Sequence, residues 1–262
     1  RLTLEVVCER KRGKLMIFVM DVDGTICFNG MYIEEPLRKE IKNIATKHQV
    51  IFASARPIRD LLPVIRGFED YTLIGGNGSI ISQDNQISVV KSISEDPFNH
   101  IKSLIHKYNL QYIVDDSFDY AANVSPDNTI FRQLDPSHLA NRLTIEEIEK
   151  PIKVILVNLD DHLFELVQQE LEKYESSLSI HYHHRENNID ITAQNINKYT
   201  TLRKVIGNLP YFTYGNDVND YELLKHAEKA YFVGERNESM RLTNAEYLES
   251  HAQAVMTSLK NY

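Results

Sequence analysis

Two aspartates stand immediately after an apolar run near the start of the chain. Leu15 to Met20 are all apolar, and Asp21 and Asp23 follow them, ahead of Gly24. A continuous apolar run of this length predicts a strand that is buried on both faces. Ligands of open α/β sheets bind just beyond the carboxyl ends of such strands, and two carboxylates there can share one divalent cation. The segment therefore predicts an active site.

Three further predicted strands also end in polar residues. These residues are Ser54 and Arg56 after the second strand, Asn77 after the third, and the loop from Asn216 to Asp220 after the fourth. Parallel strands present their carboxyl ends at one edge of a sheet, so we expect these side chains to lie together. Clustered carboxylates repel one another and call for a cation, and oxygen ligands suit Mg²⁺. A metal held by carboxylates usually also holds a phosphate.

The residues at these ends have the chemistry of phosphoryl transfer. The Ser54 hydroxyl can donate a hydrogen bond to a phosphoryl oxygen, and Lys198 can place a compact positive charge near another. An aspartate can act as nucleophile through an aspartyl-phosphate, which divides one difficult displacement into two easier ones. A second aspartate can protonate the leaving oxygen and later activate water.

Strands and helices alternate in the parts of the sequence that carry these residues. The predicted strands are 15–20, 50–53, 71–74, 211–214 and, as the last, 230–233, and the predicted helices are 35–47, 57–66, 200–206 and 221–227. Between them the pattern changes to a hairpin at 79–90 around Asp84 and Asn85, helices at 96–108 and 162–174, and strands at 151–159 and 178–184. The strand at 178–184 alternates polar and apolar residues, which is typical of a sheet with one wet face.

These patterns predict the fold class and its domains. The fold is expected to be α/β, with a Rossmann-like parallel sheet as its core and an inserted α+β cap. The core takes residues 1–81 and 193–262, and the cap takes residues 82–192. The core is expected to carry the chemistry, because the strands that end in polar residues belong to it.

Composition narrows the class of protein further. A chain of 262 residues with 42% hydrophobic content is typical of an ordinary globular protein, and a net charge of -8 argues against a nucleic-acid partner. The basic run Arg10–Lys14 is interpreted as a solvated turn. The first apolar stretch is too short for a signal-peptide core or a membrane span. Two cysteines, Cys8 and Cys27, without a CxxC pair fit a reducing compartment, so we expect a cytoplasmic protein with no membrane partner.

From Leu15 to Gly234 the sequence resembles the haloacid dehalogenase superfamily, and within it the Cof-type (subfamily IIB) phosphatases with a C2 cap. Four signatures carry the resemblance, with the cap inserted between the second and the third. They are Asp21-Val22-Asp23-Gly24-Thr25, Ala53-Ser54-Ala55-Arg56-Pro57, Lys198, and Gly215-Asn216-Asp217-Val218-Asn219-Asp220.

The resemblance implies a role for each of these residues. Asp21 is expected to be the nucleophile and a Mg²⁺ ligand, while Asp23 is expected to be the general acid and base and to bind Mg²⁺ through its backbone carbonyl. Ser54 and Lys198 are expected to hold the transferring phosphoryl group. Substrate binding by Arg56 and by Asn77 is also expected.

Two positions depart from the family pattern. The family usually has an aspartate that binds the metal where this chain has Asn216, so one negative charge is lost, although an amide oxygen can still coordinate Mg²⁺. Asp217 is an alternative source of that charge, and Asp220 is expected to support the metal site. Tyr199 replaces the usual glycine after the lysine, which predicts a different backbone path there.

Some alternatives stay open. The cluster from His181 to Glu186 is interpreted as a cap strand that helps to choose the substrate, with a zinc site as the less favoured hypothesis. Substrate selection is also the hypothesis for Phe118, Asp119 and Tyr120. The predicted function is a Mg²⁺-dependent phosphatase for a small phosphorylated metabolite, with a sugar phosphate as first candidate. A phosphomutase and a non-catalytic sensor remain alternatives, as do a monomer and a homodimer.

Overall fold

The computed structural model describes residues 15–236 and 239–262, so the basic run Arg10–Lys14 and Cys8 lie outside the described residues. The strands are β1 (Ile17–Asp21), β2 (Gln49–Ala53), β3 (Thr72–Gly75), β4 (Ile80–Gln83), β5 (Gln86–Val89), β6 (Gln111–Asp115), β7 (Tyr120–Asn123), β8 (Arg142–Leu143), β9 (Lys153–Val157), β10 (Leu178–His183), β11 (Asn188–Ala193), β12 (Phe212–Gly215), β13 (Lys229–Val233) and β14 (Ala245–Leu248). The α-helices are α1 (Glu35–Ala45), α2 (Ile58–Leu61), α3 (Glu95–Tyr108), α4 (Thr129–Arg132), α5 (Asp161–Leu171), α6 (Lys198–Ile206), α7 (Tyr221–Lys225) and α8 (Ala252–Leu259).

The chain divides into two compact units. The first contains the residues up to Ala53 and those from Ile206 onward, and the second runs from Ser54 to Val205. The predicted boundaries of the inserted cap, at residues 82 and 192, stay a prediction. None of the helices in residues 15–236 and 239–262 is both long and apolar enough to cross a membrane.

A parallel sheet forms the centre of the first unit. Its strands follow the order β14-β13-β12-β1-β2, and every neighbouring pair is parallel. All five residues of β1 are buried, as the continuous apolar run predicted. Because the strands run in one direction, Asp21 at the end of β1 and Gly215 at the end of β12 lie at the same edge of the sheet.

Two helices and an aromatic cluster pack within this unit. Helix α1 buries Leu37, Ile41 and Ile44, and it packs against α8. Three rings meet beside the sheet: Phe18 lies 5.6 Å from Phe212 and 5.1 Å from Tyr262 between ring centroids, both in edge contacts. This core holds β1 and β12 in place, and the candidate site residues follow directly from their ends.

The second unit contains a three-stranded segment and a six-stranded sheet. Strands β3, β4 and β5 are antiparallel neighbours, and Asp84 and Asn85 both have positive φ in the two-residue turn between β4 and β5, as the hairpin prediction requires. The larger sheet follows the order β10-β11-β9-β6-β7-β8 and is antiparallel except between β7 and β8. Helices α3 and α5 cover one face of this sheet.

The prediction that one face of this larger sheet is exposed to solvent is right at the edge of the sheet and wrong at its centre. In β11 buried residues alternate with half-buried ones, and β10 carries exposed histidines. Residues on the second face of the central strands, such as Ile113, Ile155 and Val157, are buried under a side cluster that includes Ile130 and Phe131. The segment at 129–134 was not assigned from the sequence, and it covers what was expected to be a wet face.

Two element predictions are wrong in extent. The helix predicted over 57–66 ends at Leu61. Leu62 still has helical angles, with φ of -52° and ψ of -44°, but Pro63 after it has no N–H group with which to continue the hydrogen bonds of the helix. The strand at Lys229–Val233 is not the last, since β14 and α8 follow it. Strand β14 is short and reads Ala-Glu-Tyr-Leu, so it carries no continuous apolar run that would have predicted it.

Candidate functional site

A tight turn follows β1 and orients the side chain of Asp21. The Val22 carbonyl accepts N–H groups from Thr25, Ile26 and Cys27 at 3.2, 3.0 and 2.9 Å. The turn needs glycine at position 24, where φ is +75°. Asp21 is only 4% exposed, and the Thr25 hydroxyl donates to its carboxylate at 2.7 Å. The turn therefore fixes a buried carboxylate at the end of the strand.

The loop after β12 is organised by its own two acids. The carboxylate of Asp220 is fully buried, and its Oδ2 accepts the backbone N–H groups of Asn216 at 3.0 Å and Asp217 at 3.3 Å. The exposed Asp217 carboxylate accepts the N–H of Val218 at 2.6 Å, which caps the short helical turn that follows. Asp217 thus serves the loop itself, and Asp220 holds the backbone of Asn216.

These two loops meet at Asn216. Its side-chain Oδ1 lies 3.3 Å from the Thr25 hydroxyl, which is the group that donates to Asp21. A Cβ atom on Gly24 would lie 2.0 Å from Asn216 Nδ2, so a larger residue there would displace the Asn216 side chain. Thr25 contacts both Asp21 and Asn216, yet it was not assigned a role from the sequence. Its position four residues after Asp21, at the end of the first signature, was the available signal.

This part of the first unit offers oxygen donors that suit Mg²⁺. Carboxylate and amide oxygens from Asp21 and Asn216 lie on either side of the Thr25 hydroxyl. Within residues 15–236 and 239–262 no three histidine, cysteine, aspartate or glutamate side chains are grouped as a metal site. Any metal site here therefore depends on the Asn216 amide and on backbone carbonyls as well as on acids. Asp23 is half-buried, and its backbone forms an isolated β-bridge with that of Cys27 in the same turn.

In the second unit, two adjoining turns bring Ser54, Arg56 and Asn77 together. The Ser54 hydroxyl oxygen accepts the backbone N–H of Arg56 at 3.0 Å, and the Ser54 carbonyl accepts that of Asn77 at 3.0 Å. The Arg56 carbonyl accepts the N–H of Gly76 at 2.7 Å. Because the Ser54 oxygen accepts this bond, its own proton stays available to donate to a ligand.

Asn77 has a backbone conformation that asparagine often adopts in turns, but its side-chain oxygen is unusual. Its backbone is left-handed, with φ of 55° and ψ of 32°. Its Oδ1 is buried and has no hydrogen-bond partner among the residues that the structure describes. A buried polar atom without a partner is costly, so this side chain is a candidate for contact with a bound substrate.

Lys198 begins α6 and is almost fully buried, with 1% of its surface exposed. The helix start is fixed against the turn that contains Asn77, since the Thr201 hydroxyl donates to the Gly78 carbonyl at 2.6 Å. Asn197 accepts the N–H of Thr200 at 2.9 Å and caps the helix. A lysine at a helix N-terminus, where backbone N–H groups also point outward, is suited to an anion. The backbone at Tyr199 is helical, and a path different from that of the family stays a prediction.

The other predicted residues lie elsewhere in the second unit. His181 and His183 are exposed on the edge strand β10, and His184 contacts the ring of Phe164. The zinc hypothesis gains no support there, because the described residues contain no grouped metal ligands. Phe118 and Asp119 form part of the loop between β6 and β7, and their carbonyls accept hydrogen bonds from Arg59 at 3.0 and 3.3 Å. Arg59 was missed, since a single arginine in a helix gives no sequence signal.

Comparison with known families identifies the class of protein. A family model of haloacid dehalogenase-like hydrolases matches residues 18–255. The chain belongs to the haloacid dehalogenase-like hydrolases, as the four signatures predicted. No curated protein matches it.

Solved structures share its fold at low sequence identity. TM0651 from Thermotoga maritima is 17% identical, with a TM-score of 0.78 over 95% of this chain and 97% of that one. A haloacid dehalogenase-like hydrolase from Bacteroides thetaiotaomicron is 16% identical, with a TM-score of 0.79 over 95% and 99%. The subclass IIB sugar phosphatase BT4131 is 15% identical, with a TM-score of 0.69 over 94% and 98%. The α/β fold with its inserted domain is thus that of haloacid dehalogenase-like hydrolases.

Proposed function

We propose that this hydrolase is a Mg²⁺-dependent phosphatase that acts on a small phosphorylated metabolite. The observation that carries the proposal is the buried Asp21 carboxylate at the end of β1, which the Thr25 hydroxyl orients beside Asn216. A sugar phosphate is the first candidate substrate, because one structure with the same fold is a sugar phosphatase. The cytoplasm remains the proposed location.

Asp21 is the proposed nucleophile. Its carboxylate attacks the phosphorus of the substrate, the bond to the ester oxygen breaks, and an aspartyl-phosphate forms. Asp23 gives its proton to the leaving oxygen and then takes a proton from water. That water attacks the phosphorus, which releases inorganic phosphate and regenerates the Asp21 carboxylate. Burial of Asp21 and the partial exposure of Asp23 support this division of roles, since only Asp23 needs to exchange protons with water.

Ser54, Lys198, Asn77 and Arg56 are proposed to bind the substrate. The Ser54 hydroxyl donates to a phosphoryl oxygen while it accepts the N–H of Arg56. The Lys198 ammonium neutralises charge on the phosphoryl group, helped by the N-terminus of α6. The orphaned Oδ1 of Asn77 supports a contact with the substrate. Arg56 contributes a second positive charge from the same turn.

The proposed metal ligands are Asp21, the backbone carbonyl of Asp23 and Asn216, with Asp220 as a supporting residue. Asp220 is given the supporting role because its carboxylate accepts the backbone N–H groups of Asn216 and Asp217 and so holds the loop. Asn216 is favoured over Asp217, whose carboxylate caps its own turn. When bound, Mg²⁺ supplies positive charge that offsets the charge on the phosphoryl oxygens.

Phosphate release from p-nitrophenyl phosphate, with Mg²⁺ and with excess EDTA, tests the proposal. We expect turnover that depends on Mg²⁺, and a loss of at least about 10³-fold in kcat in Asp21→Asn with the fold intact. Asp217→Asn is the matched control. It removes an exposed acid from the loop after β12 and should change kcat by less than about threefold. Retained activity in Asp21→Asn would exclude the nucleophile.

The same assay separates the two remaining candidates. A non-catalytic sensor, which the asparagine at position 216 keeps open, predicts no turnover at any Mg²⁺ concentration. A phosphomutase predicts transfer to another hydroxyl of the substrate instead of release. Inorganic phosphate as the sole product from sugar phosphates supports the phosphatase.

A further inference from the structure

The side chain of Arg59 is buried completely, although it belongs to a four-residue helix that follows Arg56 closely. Its Nη1 donates to the carbonyls of Phe118 at 3.0 Å and Asp119 at 3.3 Å. Its Nη2 donates to the carboxylate of Asp115 in a charged hydrogen bond. One guanidinium therefore binds three acceptors at the end of β6 and in the loop that follows.

The guanidinium also faces a ring and a second acid. Its Cζ lies 5.1 Å from the centroid of the Tyr120 ring, within the range of a cation–π contact. Its Nε lies 3.4 Å from Asp60 Oδ1, which in turn accepts the backbone N–H of Asp135 at 3.0 Å. The planar fork of arginine matches this arrangement, whereas a lysine ammonium is a point charge that cannot reach all of these groups together.

The loop at 116–119, which joins β6 and β7, is held from other sides as well. The N–H of Asp116 donates to the Asp119 carbonyl at 2.9 Å and closes the loop. The Asp116 carboxylate accepts the N–H groups of Glu149 at 2.8 Å and Lys150 at 3.1 Å. Arg59 is the contact that ties this closed loop to the segment carrying Ser54 and Arg56.

The chain between the Ser54–Arg56 turn and Arg59 is short. Arg59 follows Arg56 by three residues, of which Pro57 is extended, with ψ of 155°, and Ile58 begins α2. The Arg56 N–H donates to the Ser54 hydroxyl oxygen. The 116–119 loop is therefore connected to the proposed phosphoryl-binding turn through three residues of chain and one buried side chain.

We propose that Arg59 is a positioning residue for substrate selection. It holds Phe118, Asp119 and Tyr120 at a set distance from Ser54 and Arg56, so that this segment meets the part of the substrate beyond the phosphoryl group. The inference rests on the proposed phosphatase function. Displacement of the loop raises KM for substrates with an extended leaving group, while a substrate too small to reach the loop is unaffected.

Steady-state kinetics with two kinds of substrate test the inference. The probes are a panel of glucose 6-phosphate, fructose 1-phosphate, ribose 5-phosphate and erythrose 4-phosphate, together with acetyl phosphate as the small phosphoryl donor. In Arg59→Lys we expect KM for the best sugar phosphate to rise at least tenfold with kcat within threefold. For acetyl phosphate kcat/KM should stay within threefold. Arg59→Met should show the same pattern more strongly, and partial rescue by lysine separates lost geometry from lost charge.

Arg142→Lys is the matched control. Arg142 also donates to a backbone carbonyl, that of Ala122 at 2.7 Å, and its Cζ lies 5.4 Å from the Phe131 ring. It is exposed, however, and although its backbone pairs with that of Tyr120, its guanidinium binds at Ala122 in β7 and not in the 116–119 loop. We expect the ratio of kcat/KM between sugar phosphate and acetyl phosphate to change less than twofold.

A second variant and a second measurement apply if the Arg59 variants fail to fold. Asp115→Asn keeps an acceptor for Arg59 but removes its negative charge, so the contact between the two residues is weaker. The ratio of kcat/KM between sugar phosphate and acetyl phosphate should therefore fall three- to fivefold. Hydrogen exchange in peptides covering 116–120 should quicken in that variant, while peptides covering β9 stay protected. An unchanged ratio in a folded variant of Arg59 or Asp115 overturns the inference alone. A wild-type chain that hydrolyses none of these phosphates overturns the proposed function, and this inference with it.

Discussion

Asp21 and Asp115 occupy the same kind of position in two different sheets. Asp21 ends the parallel strand β1, Asp115 ends β6 of the six-stranded sheet, and each is 4% exposed. Their neighbours differ. The Thr25 hydroxyl donates to Asp21, while the Arg59 guanidinium donates to Asp115. A second acid follows each: Asp23, which is half-buried, and Asp116, which is buried.

The comparison shows that a buried aspartate at a strand end is not by itself an active site. Asp116 uses its carboxylate to accept backbone N–H groups, and Asp115 fixes Arg59, so both acids serve the position of a loop. The turn after Asp21 instead packs on the loop that carries Asn216. In our proposal, the chemistry depends on which second loop meets the strand end.

The largest effect on stability is expected from Asp115→Ala. This change leaves the buried Arg59 without its closest acid, so we expect a loss of about 3–5 kcal/mol in the free energy of unfolding. Urea unfolding followed by circular dichroism measures it. Asp21→Asn, at the equivalent strand end, should cost less than about 1 kcal/mol, because it keeps an acceptor for Thr25. Equal losses in the two variants would remove the distinction between these positions.

The pH dependence of stability is expected to come from the Arg59 cluster. Burial raises the pKa of Asp60 from 3.8 to about 6, although Arg59 opposes the shift and Asp115 adds to it. The folded state therefore binds the proton more tightly than the unfolded state. The resulting stabilisation is complete below about pH 3.8 and is lost as the pH rises through 6.

Asp60→Asn isolates this contribution. The amide keeps an acceptor for the N–H of Asp135 but cannot titrate, so its stability relative to wild type should rise by about 3 kcal/mol between pH 3.5 and pH 7. Thermal and urea unfolding at both pH values measure the difference. Asp127→Asn, an exposed acid of the same unit, is the control and should show no such change. A difference of the opposite sign would contradict the burial of Asp60 as its cause.

A smaller effect is expected at the end of β12. Asn216→Asp restores a carboxylate beside Thr25 and Asp21, so Mg²⁺ affinity should rise about tenfold, or about 1.4 kcal/mol. Calorimetric titration with Mg²⁺ alone measures this affinity. Asn219→Asp adds the same charge to an exposed position of the same loop and should change the affinity by less than about twofold. Equal gains in both variants would indicate general attraction by the loop.

The smallest effect is expected on the exposed edge of the six-stranded sheet. His183 lies on the edge strand β10, where it pairs with Asn188 of β11 and is exposed. His183→Ala should therefore change the free energy of unfolding by less than about 0.5 kcal/mol. Zn²⁺ should not raise the Tm of wild type above that of the variant. A rise that depends on His183 would revive the zinc hypothesis.

Local pattern predicted the parts of the fold whose burial is continuous. The apolar runs before Asp21 and Ser54 became β1 and β2, and the turn at Asp84 and Asn85 became a hairpin. The pattern failed where one proline or an unforeseen neighbour decided the outcome. Pro63 shortened α2, and the segment at 129–134 covered a face of the larger sheet that had been expected to be wet.

The candidate site divides in the same way. The signature residues could be named in advance because each directly follows a strand or begins a helix, and hydrophobic periodicity predicts those boundaries. The hydroxyl of Thr25 as the link to Asn216 could not, since the two residues are 191 positions apart. The proposal of Asn216 in preference to Asp217 as a metal ligand also rests on the hydrogen bond that uses Asp217 to cap its own turn.

By itself, the sequence determined where acids follow buried strands, because a run of apolar residues and the glycine after it act over a few neighbouring positions. Only the tertiary structure decided what each acid contacts. Asp115 contacts Arg59 across 56 residues of sequence, and such a contact depends on how helix and sheet pack. Burial makes each of these contacts matter, since a charge removed from water is stabilised only by the groups that the fold brings to it.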